Sequence, residues 1–148
     1  MISLALVLSL CAASGQGREK RVKLKDLPEA VRKTVVEQSN GAKLRALSQE
    51  TQNGETFYEA ELIVEGRSRD VLMDSSGAIV EIEEEVPWNS LPAAVKAGLE
   101  QQAGRGKILK VESITKNDQI VAYEAHLQAG GKKSEIKVGP DGKPITLD

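Results

Sequence analysis

Apolar and polar residues alternate most regularly over residues 57–64. Tyr58 begins a series of apolar residues at every second position, and Glu59 and Glu61 occupy positions between them. Since successive side chains of a strand point to opposite faces, this pattern predicts an antiparallel strand with one face in the core and one in solvent. We therefore expect Tyr58 to be buried and the two glutamates to face outward.

The strand pattern occurs twice, because residues 57–62 read FYEAEL and residues 122–127 read AYEAHL. An apolar stripe with helical spacing precedes each copy, beginning at Leu27 and at Leu91. The helices lie 64 residues apart and the strands 65. Matches at a nearly constant offset, including the Leu-Pro pair that opens each helix, indicate an internal duplication. Tyr123 is then expected in the core of the second copy.

In each copy, the pattern of one helix is followed by four apolar runs, and residues typical of turns lie between these runs. We predict an α+β fold, a tandem repeat of one helix packed on a four-stranded antiparallel β-sheet. The first repeat spans residues 26–87 and the second spans residues 88–148. The last strand of the second repeat is expected over residues 145–148.

The N-terminal residues 1–17 are predicted to be a secretory signal peptide. They form an uncharged apolar run followed by small residues, and the run is too short to span a bilayer. No lysine or arginine precedes Arg18, so a misassigned start codon is an alternative explanation. Cys11, the single cysteine, is either incidental to this segment or a lipid attachment site. We expect an exported protein, periplasmic or extracellular, with no transmembrane segment in the mature chain.

Charge is unevenly distributed along a chain whose net charge is −2. Residues 18–25, predicted to be a basic linker, carry +4, residues 26–87 carry −8 and residues 88–148 carry +2. Such asymmetry can steer a charged partner, or it can reflect solvated surface alone. The basic linker has no reading element beside it, so nucleic-acid binding is not predicted.

Reactive side chains are scarce in this sequence. His126 is the single histidine, which excludes a zinc site built from several histidines and leaves at most one conventional base. It shares a predicted strand face with Glu124, so a carboxylate–imidazole contact is conceivable, although a solvated histidine is the favoured interpretation. Residues 74–77 lack the later acidic ligands of a calcium loop. We predict no catalytic residue, no metal site and no cofactor.

Four residues are candidates for contact with a partner: Trp88, Glu59, Glu61 and His126. Trp88 lies at the junction of the two copies, where it could either wedge the units together or anchor a partner. The two glutamates and His126 are expected on outward strand faces, and position 61 of the first copy corresponds to position 126 of the second. We expect binding specificity where the copies diverge in this way.

The Leu-Pro helix start, the Tyr-Glu-Ala strand and the turns at residues 74–80 and 139–145 resemble the PepSY-like, β-lactamase-inhibitor-like family of exported bacterial proteins. The resemblance covers residues 26–148. It implies a helix on a four-stranded antiparallel sheet in each copy, a periplasmic or cell-surface location and, from related domains, a role in restraining peptidases. It does not imply inhibition of a β-lactamase, because the chain is only 3% aromatic.

The sequence therefore favours a non-enzymatic, exported binding or regulatory protein. It would contact a protein or peptide through its sheets or through a groove between the repeats. An inhibitor of an extracytoplasmic peptidase is the alternative hypothesis, and a hydrolase that uses His126 is a further one.

Overall fold

The computed structural model describes residues 19–145, which form one antiparallel sheet of eight strands and two α-helices. The strands follow one another across the sheet in chain order. Their bounds are Lys20–Arg21 (β1), Lys43–Gln52 (β2), Glu55–Val64 (β3), Arg67–Asp74 (β4), Ile79–Glu85 (β5), Lys107–Lys116 (β6), Gln119–Ala129 (β7) and Lys132–Val138 (β8). The helices are Glu29–Gln38 (α1) and Ala93–Ala103 (α2).

The predicted fold class, a tandem repeat of one helix on a four-stranded sheet, is wrong. Strands β5 and β6 pair antiparallel from Ile82 with Thr115 to Glu85 with Glu112, so the sheet is continuous and the molecule is mostly β. In two separate sheets, β5 and β6 would each have an edge with unpaired backbone N–H and C=O groups. Pairing of β5 with β6 gives both edges hydrogen-bond partners. The division into residues 26–87 and 88–148 stays a prediction.

The ends of the chain differ from the expected pattern. Within the predicted basic linker, β1 pairs with β2, placing Lys20 opposite Gln49 and Arg21 opposite Ser48. After β8, Pro144 forms an isolated bridge with Val138, while residues 146–148 of the predicted last strand lie outside the described residues. The predicted signal peptide and its cysteine also lie outside them.

Both helices pack on the same face of the sheet, above two apolar clusters. Helix α1 contributes Val31 and Val35 to the first cluster, and α2 contributes Val95 and Leu99 to the second. The predicted core positions Tyr58 and Tyr123 are confirmed, since both side chains are buried in these clusters. Within residues 19–145, neither helix has the length and apolar character that crossing a membrane requires.

No helix of residues 19–145 packs on the other face of the sheet, which we call the helix-free face, and it carries most of the buried charge. Alternation along each strand turns polar side chains to this side, because the apolar ones face the helices. Phe57 and Leu72 form a small apolar cluster on it, with Val80 packed against them. Its charged members include Glu59, Glu61, Asp70, Glu81, Glu83, Glu85, Lys110, Glu112, Glu124, His126, Glu135 and Lys137.

Candidate functional site

Strand register concentrates charged side chains on the part of the helix-free face that β6, β7 and β8 form. Glu112 on β6 lies opposite Glu124 on β7, which in turn lies opposite Lys137 on β8. One step along, Lys110 lies opposite His126. We call these five residues the paired network, because each carboxylate in it contacts a cationic group.

The histidine is held by carboxylates on three sides. Its Nε2 lies 2.7 Å from Glu112 Oε2 and 3.6 Å from Glu124 Oε1, and its Nδ1 lies 3.4 Å from Glu135 Oε1. Lysines occupy the remaining carboxylate oxygens of the two buried glutamates. Lys110 Nζ donates to Glu112 Oε1, and Lys137 Nζ lies 2.8 Å from Glu124 Oε2. Each buried glutamate therefore has a lysine within ion-pair distance, which is the usual condition for burying a carboxylate, although the angle of the Lys137–Glu124 contact is not that of a hydrogen bond.

The contacts shift the ionisation of two members of the network. Burial acts to raise the pKa of Glu112, but the hydrogen bonds from His126 and Lys110 outweigh it and lower the pKa to about 2. The hydrogen bond to Glu112 raises the pKa of His126 above the usual range, against the opposing effect of burial. The imidazole therefore keeps its proton to a higher pH than a free histidine does.

Strands β3, β4 and β5 carry a contrasting group, the acidic triad of Glu59, Asp70 and Glu83. None of the three forms an ion pair with another residue of the described chain. Burial, reinforced by Asp70 and Glu61, raises the pKa of Glu59 to about 7, and burial with the Glu112 charge raises that of Asp70 to about 6. Burial with the charge of Glu81 raises the pKa of Glu83 to about 9. These pKa values are raised chiefly because burial removes hydration from the carboxyls, and the opposing effects of Lys110 and Arg45 on Asp70 and of Lys137 on Glu83 do not outweigh it.

One cross-strand neighbour accounts for part of the difference between the two regions. Glu59 on β3 lies between Ser48 and Leu72, whereas Glu124 on β7 lies between Glu112 and Lys137. The strand that follows β7 thus places Lys137 beside Glu124, whereas the strand that follows β3 places Leu72 beside Glu59. The second carboxylate therefore gains a counter-charge that the first lacks.

The structure brings three of the four candidate residues onto the helix-free face. Glu59 belongs to the acidic triad, and Glu61 beside it pairs with Arg21 of β1 at 2.9 Å. His126 belongs to the paired network. Trp88 lies elsewhere, in a 3₁₀ turn over Trp88–Ser90, where it is half-buried against the second core cluster.

Trp88 also borders a cleft of about 490 Å³ beside the C-terminal end of α2. Leu109, which is 44% exposed, lies in the same wall at an irregularity in the β6 register. The tryptophan therefore packs on the second core and borders the cleft, and its role as a partner anchor stays a prediction.

The interpretation of His126 as a solvated histidine is wrong. Its side chain is 28% exposed and is engaged by Glu112, a residue that the sequence alone did not single out. Alternation indicates that Glu112 faces outward, because Val111 beside it faces the core. That Glu112 meets His126 depends on the β6–β7 register, which shifts between Ile108 and Lys110.

Within residues 19–145, the network does not contain the serine–histidine contact of a serine hydrolase. Catalysis by a serine requires the hydroxyl to contact the imidazole that takes its proton. Ser68 Oγ instead donates to Glu112 Oε1 at 3.1 Å and accepts from Lys110 Nζ at 3.4 Å. It therefore interacts with the carboxylate and not with the histidine.

Three possible metal ligands do converge in the network. One atom each from Glu112, Glu124 and His126 lies within 4.8 Å of the others. A divalent cation there would replace the proton shared between His126 and Glu112 and would have two lysines beside it. Because these lysines already neutralise the carboxylates, the arrangement is satisfied as an ion-pair network.

Comparison with known proteins identifies the fold. No family model and no curated protein matches the chain. A solved structure of a protein named periplasmic from Bacteroides eggerthii has a TM-score of 0.65 and 14% identity, covering 81% of this chain and 86% of that one. A DUF2874 family protein from Bacteroides uniformis has a TM-score of 0.63 and 15% identity, covering 80% and 86%.

A BLIP-like protein from Bacteroides fragilis is also similar in structure. Its TM-score is 0.58 at 18% identity, and the match covers 81% of this chain and 84% of that one. The chain therefore has a fold found in BLIP-like and DUF2874 proteins. The likeness does not single out the PepSY family that the sequence resembles.

Proposed function

We propose that this protein is an exported, non-enzymatic binding protein whose helix-free face contacts a protein or peptide partner. One observation carries the proposal: no helix of residues 19–145 packs on this broad strand surface, yet it holds a set of partly buried carboxylates in fixed positions. Sites on strands are held more precisely than sites on loops, so such a surface is prepared for recognition.

Other observations support parts of the proposal. The predicted signal peptide and the name of the B. eggerthii protein support export to the periplasm. The name of the B. fragilis protein, BLIP-like, is consistent with protein binding. The position of Ser68 on a carboxylate weakens the hydrolase hypothesis. The hypothesis of a peptidase inhibitor stays a prediction, because no contact in the structure bears on it.

The test introduces bulk on the β3 part of the helix-free face without altering the core. In Glu61→Trp the indole replaces a side chain that is 23% exposed and pairs with an exposed arginine. Glu37→Trp is the matched control, because Glu37 is exposed on α1, on the opposite side of the sheet. The purified mature proteins are immobilised and incubated with envelope extract of the source organism, and retained proteins are then purified and titrated individually.

We expect a partner to bind wild type and Glu37→Trp equally and to bind Glu61→Trp at least about tenfold more weakly. The reason is that an indole on the contact surface would prevent the partner from packing closely against it. A partner whose affinity is the same for all three proteins would show that the helix-free face is not its binding surface. Finding no partner that distinguishes the two variants would contradict the proposal.

A further inference from the structure

We propose that the cleft beside the C-terminal end of α2 binds an extended peptide segment of a protein partner, which pairs its backbone with an uncovered edge of β6. The segment would carry a large apolar side chain for the wall that contains Trp88 and Leu109, and a basic side chain for Glu100. Because Trp88 packs on the second core under α2, this site lies on the helix side of the sheet. The inference is therefore independent of the proposed function of the helix-free face.

The first argument is the uncovered edge of β6. Strand β5 pairs with β6 only from Glu112 to Thr115, and the Val86 N–H then donates to the Val111 carbonyl at 2.9 Å. Beyond this bond the chain enters a 3₁₀ turn, and no strand of residues 19–145 pairs with residues 107–110 on that side. A strand edge with unpaired backbone groups is a template for an added strand. An added strand here would continue the line of β5.

The second argument is the apolar wall beside this edge. The β6–β7 register shifts between Ile108 and Lys110, so Leu109 has no partner opposite it on β7 and is 44% exposed. A bulge of this kind turns a side chain in a new direction. Leu109, Ile108, Val86 and Trp88 all border the cleft. When a peptide adds to a sheet, the backbone bonds provide affinity and such side-chain pockets provide specificity.

The third argument is a difference between the two copies. The β2–β3 register shifts between Leu44 and Ala46, 64 residues before the shift in β6. The residue within that bulge is Arg45, where the second copy has Leu109. The bulge therefore belongs to the repeated fold, and a leucine is not required to form it. An exposed leucine at this position points to a function of the second copy alone.

The fourth argument is the charge of the cleft. Glu100 borders it, is exposed, and forms no ion pair within the part of the chain that the structure describes. The other charged residues of the lining have their contacts on the helix-free face, where Lys110 donates to Glu112 and Glu85 accepts from the Ser68 N–H at 3.3 Å. A basic side chain on the peptide would therefore meet one unpaired carboxylate, which favours a cationic segment over an acidic one.

The experiment uses the capped five-residue peptide Thr-Leu-Thr-Arg-Thr as its probe. Threonine favours extended backbone, and leucine and arginine lie on one face of an extended chain. Calorimetric titration measures the affinity, and fluorescence of Trp88, the single tryptophan, reports on binding at the cleft. Two further peptides carry N-methyl groups, one on the threonine nitrogens and the other on the leucine and arginine nitrogens. Alternate N–H groups of a strand lie on opposite edges, so only one of these peptides blocks the edge that faces β6.

Two protein variants test the wall, each with a matched control. Leu109→Arg introduces the residue that the first copy carries in its own bulge, so the fold accommodates it. Its control is Ile120→Arg, because Ile120 is 46% exposed on β7 and does not border the cleft. Glu100→Gln removes the unpaired carboxylate, and Glu37→Gln removes an exposed one on α1. Circular dichroism of each protein checks the fold.

We expect wild type and both controls to bind the peptide with a Kd below about 1 mM and with a saturable change in Trp88 emission. Leu109→Arg should bind at least about tenfold more weakly, and Glu100→Gln about threefold more weakly. One N-methylated peptide should bind at least about tenfold more weakly than the unmodified peptide, and the other should bind within about threefold of it.

Three results would overturn the inference. They are no saturable binding by wild type at about 5 mM peptide, equal affinities of Leu109→Arg and Ile120→Arg, and equal affinities of the two N-methylated peptides. Equal affinities of Glu100→Gln and Glu37→Gln would refute the basic side chain of the segment.

Glu61→Trp separates this inference from the proposed function. It should bind the peptide as wild type does, because Glu61 lies on the helix-free face and does not border the cleft. Loss of peptide binding in Glu61→Trp would assign the peptide to the helix-free face and overturn the inference. A natural partner that is kept by Glu61→Trp removes the proposed function, whereas the cleft is judged by the peptide alone.

Discussion

At the scale of single residues, the contact between His126 and Glu112 shows how this sheet accommodates buried charge. Glu112 is 4% exposed at its side chain, so its charge has lost most of its hydration. Two cationic groups replace that hydration, Lys110 on one oxygen and His126 on the other. Removing any one member leaves another with an unmatched charge, and so the members depend on one another.

We expect Glu112→Gln to lower the free energy of unfolding by about 1–3 kcal/mol at pH 5 to 6. The Glu112 pKa is depressed to about 2, so its contribution is present above the ordinary value of 4.5 and is lost as pH falls through the folded value. The His126 pKa is raised from 6.5, so its contribution is present below 6.5 and is lost as pH rises through the folded value. The stabilisation by the pair is therefore greatest between these two ordinary values.

Urea denaturation of wild type and Glu112→Gln at pH 3, 5.5 and 9 measures the effect. Glu37→Gln is the control, since an exposed helical glutamate should change stability by less than about 0.5 kcal/mol. A destabilisation by Glu112→Gln that is the same at all three pH values would show that ionisation plays no part in the contact.

At the scale of elements, glycines let two turns approach the helices closely. A Cβ placed on Gly98 of α2 would collide with the backbone oxygen of Gly142, which lies in the turn after β8. The corresponding turn after β4 approaches α1, where Thr34 Oγ1 donates to the carbonyl of Gly77 at 2.7 Å. Each helix thus contacts a turn as well as the sheet, α2 through the close backbone approach at Gly98 and α1 through the Thr34 hydrogen bond.

We expect Gly98→Ala to destabilise the protein by about 1–3 kcal/mol, because the added methyl group meets backbone that must shift. Helix propensity alone predicts the opposite sign, since alanine is more favourable than glycine by about 1 kcal/mol in a helix interior. The midpoint of thermal unfolding distinguishes the two effects. Gln101→Ala, at an exposed position of the same helix, is the control, and a stabilised Gly98→Ala would contradict the proposed contact.

The limits of the sequence-based prediction are also visible at this scale. Local periodicity correctly indicates that Tyr58 and Tyr123 face the core, because that pattern depends on each strand alone. It does not indicate that β5 pairs with β6, because the alternation of side chains shows which face of a strand is buried but not which strand pairs with its edge. The partner of His126 depends on register for the same reason. The acidity of the first half was evident from the sequence, but the missing counter-charge depends on Leu72 lying beside Glu59.

At the scale of the whole molecule, the β5–β6 pairing joins two apolar cores through one sheet. Each core lies under its own helix, the first with Val31 at its centre and the second with Val95. Four residue pairs connect the strands between them. The acidic triad borders this connection through Glu83, and the paired network borders it through Glu112. The helix-free face is therefore continuous across both halves of the chain.

We expect the two halves to unfold together, because separating them would expose the paired edges of β5 and β6 and the charges beside them. Trp88, the single tryptophan, lies against the second core, so its fluorescence reports on that half. Val31→Ala in the first core should nevertheless lower the midpoint measured by Trp88 fluorescence, with a loss of about 2 kcal/mol. Val95→Ala is the matched change in the second core. Fluorescence and circular dichroism should give the same unfolding midpoint for each protein. If Val31→Ala leaves the fluorescence midpoint unchanged, the two halves unfold independently although they share one sheet.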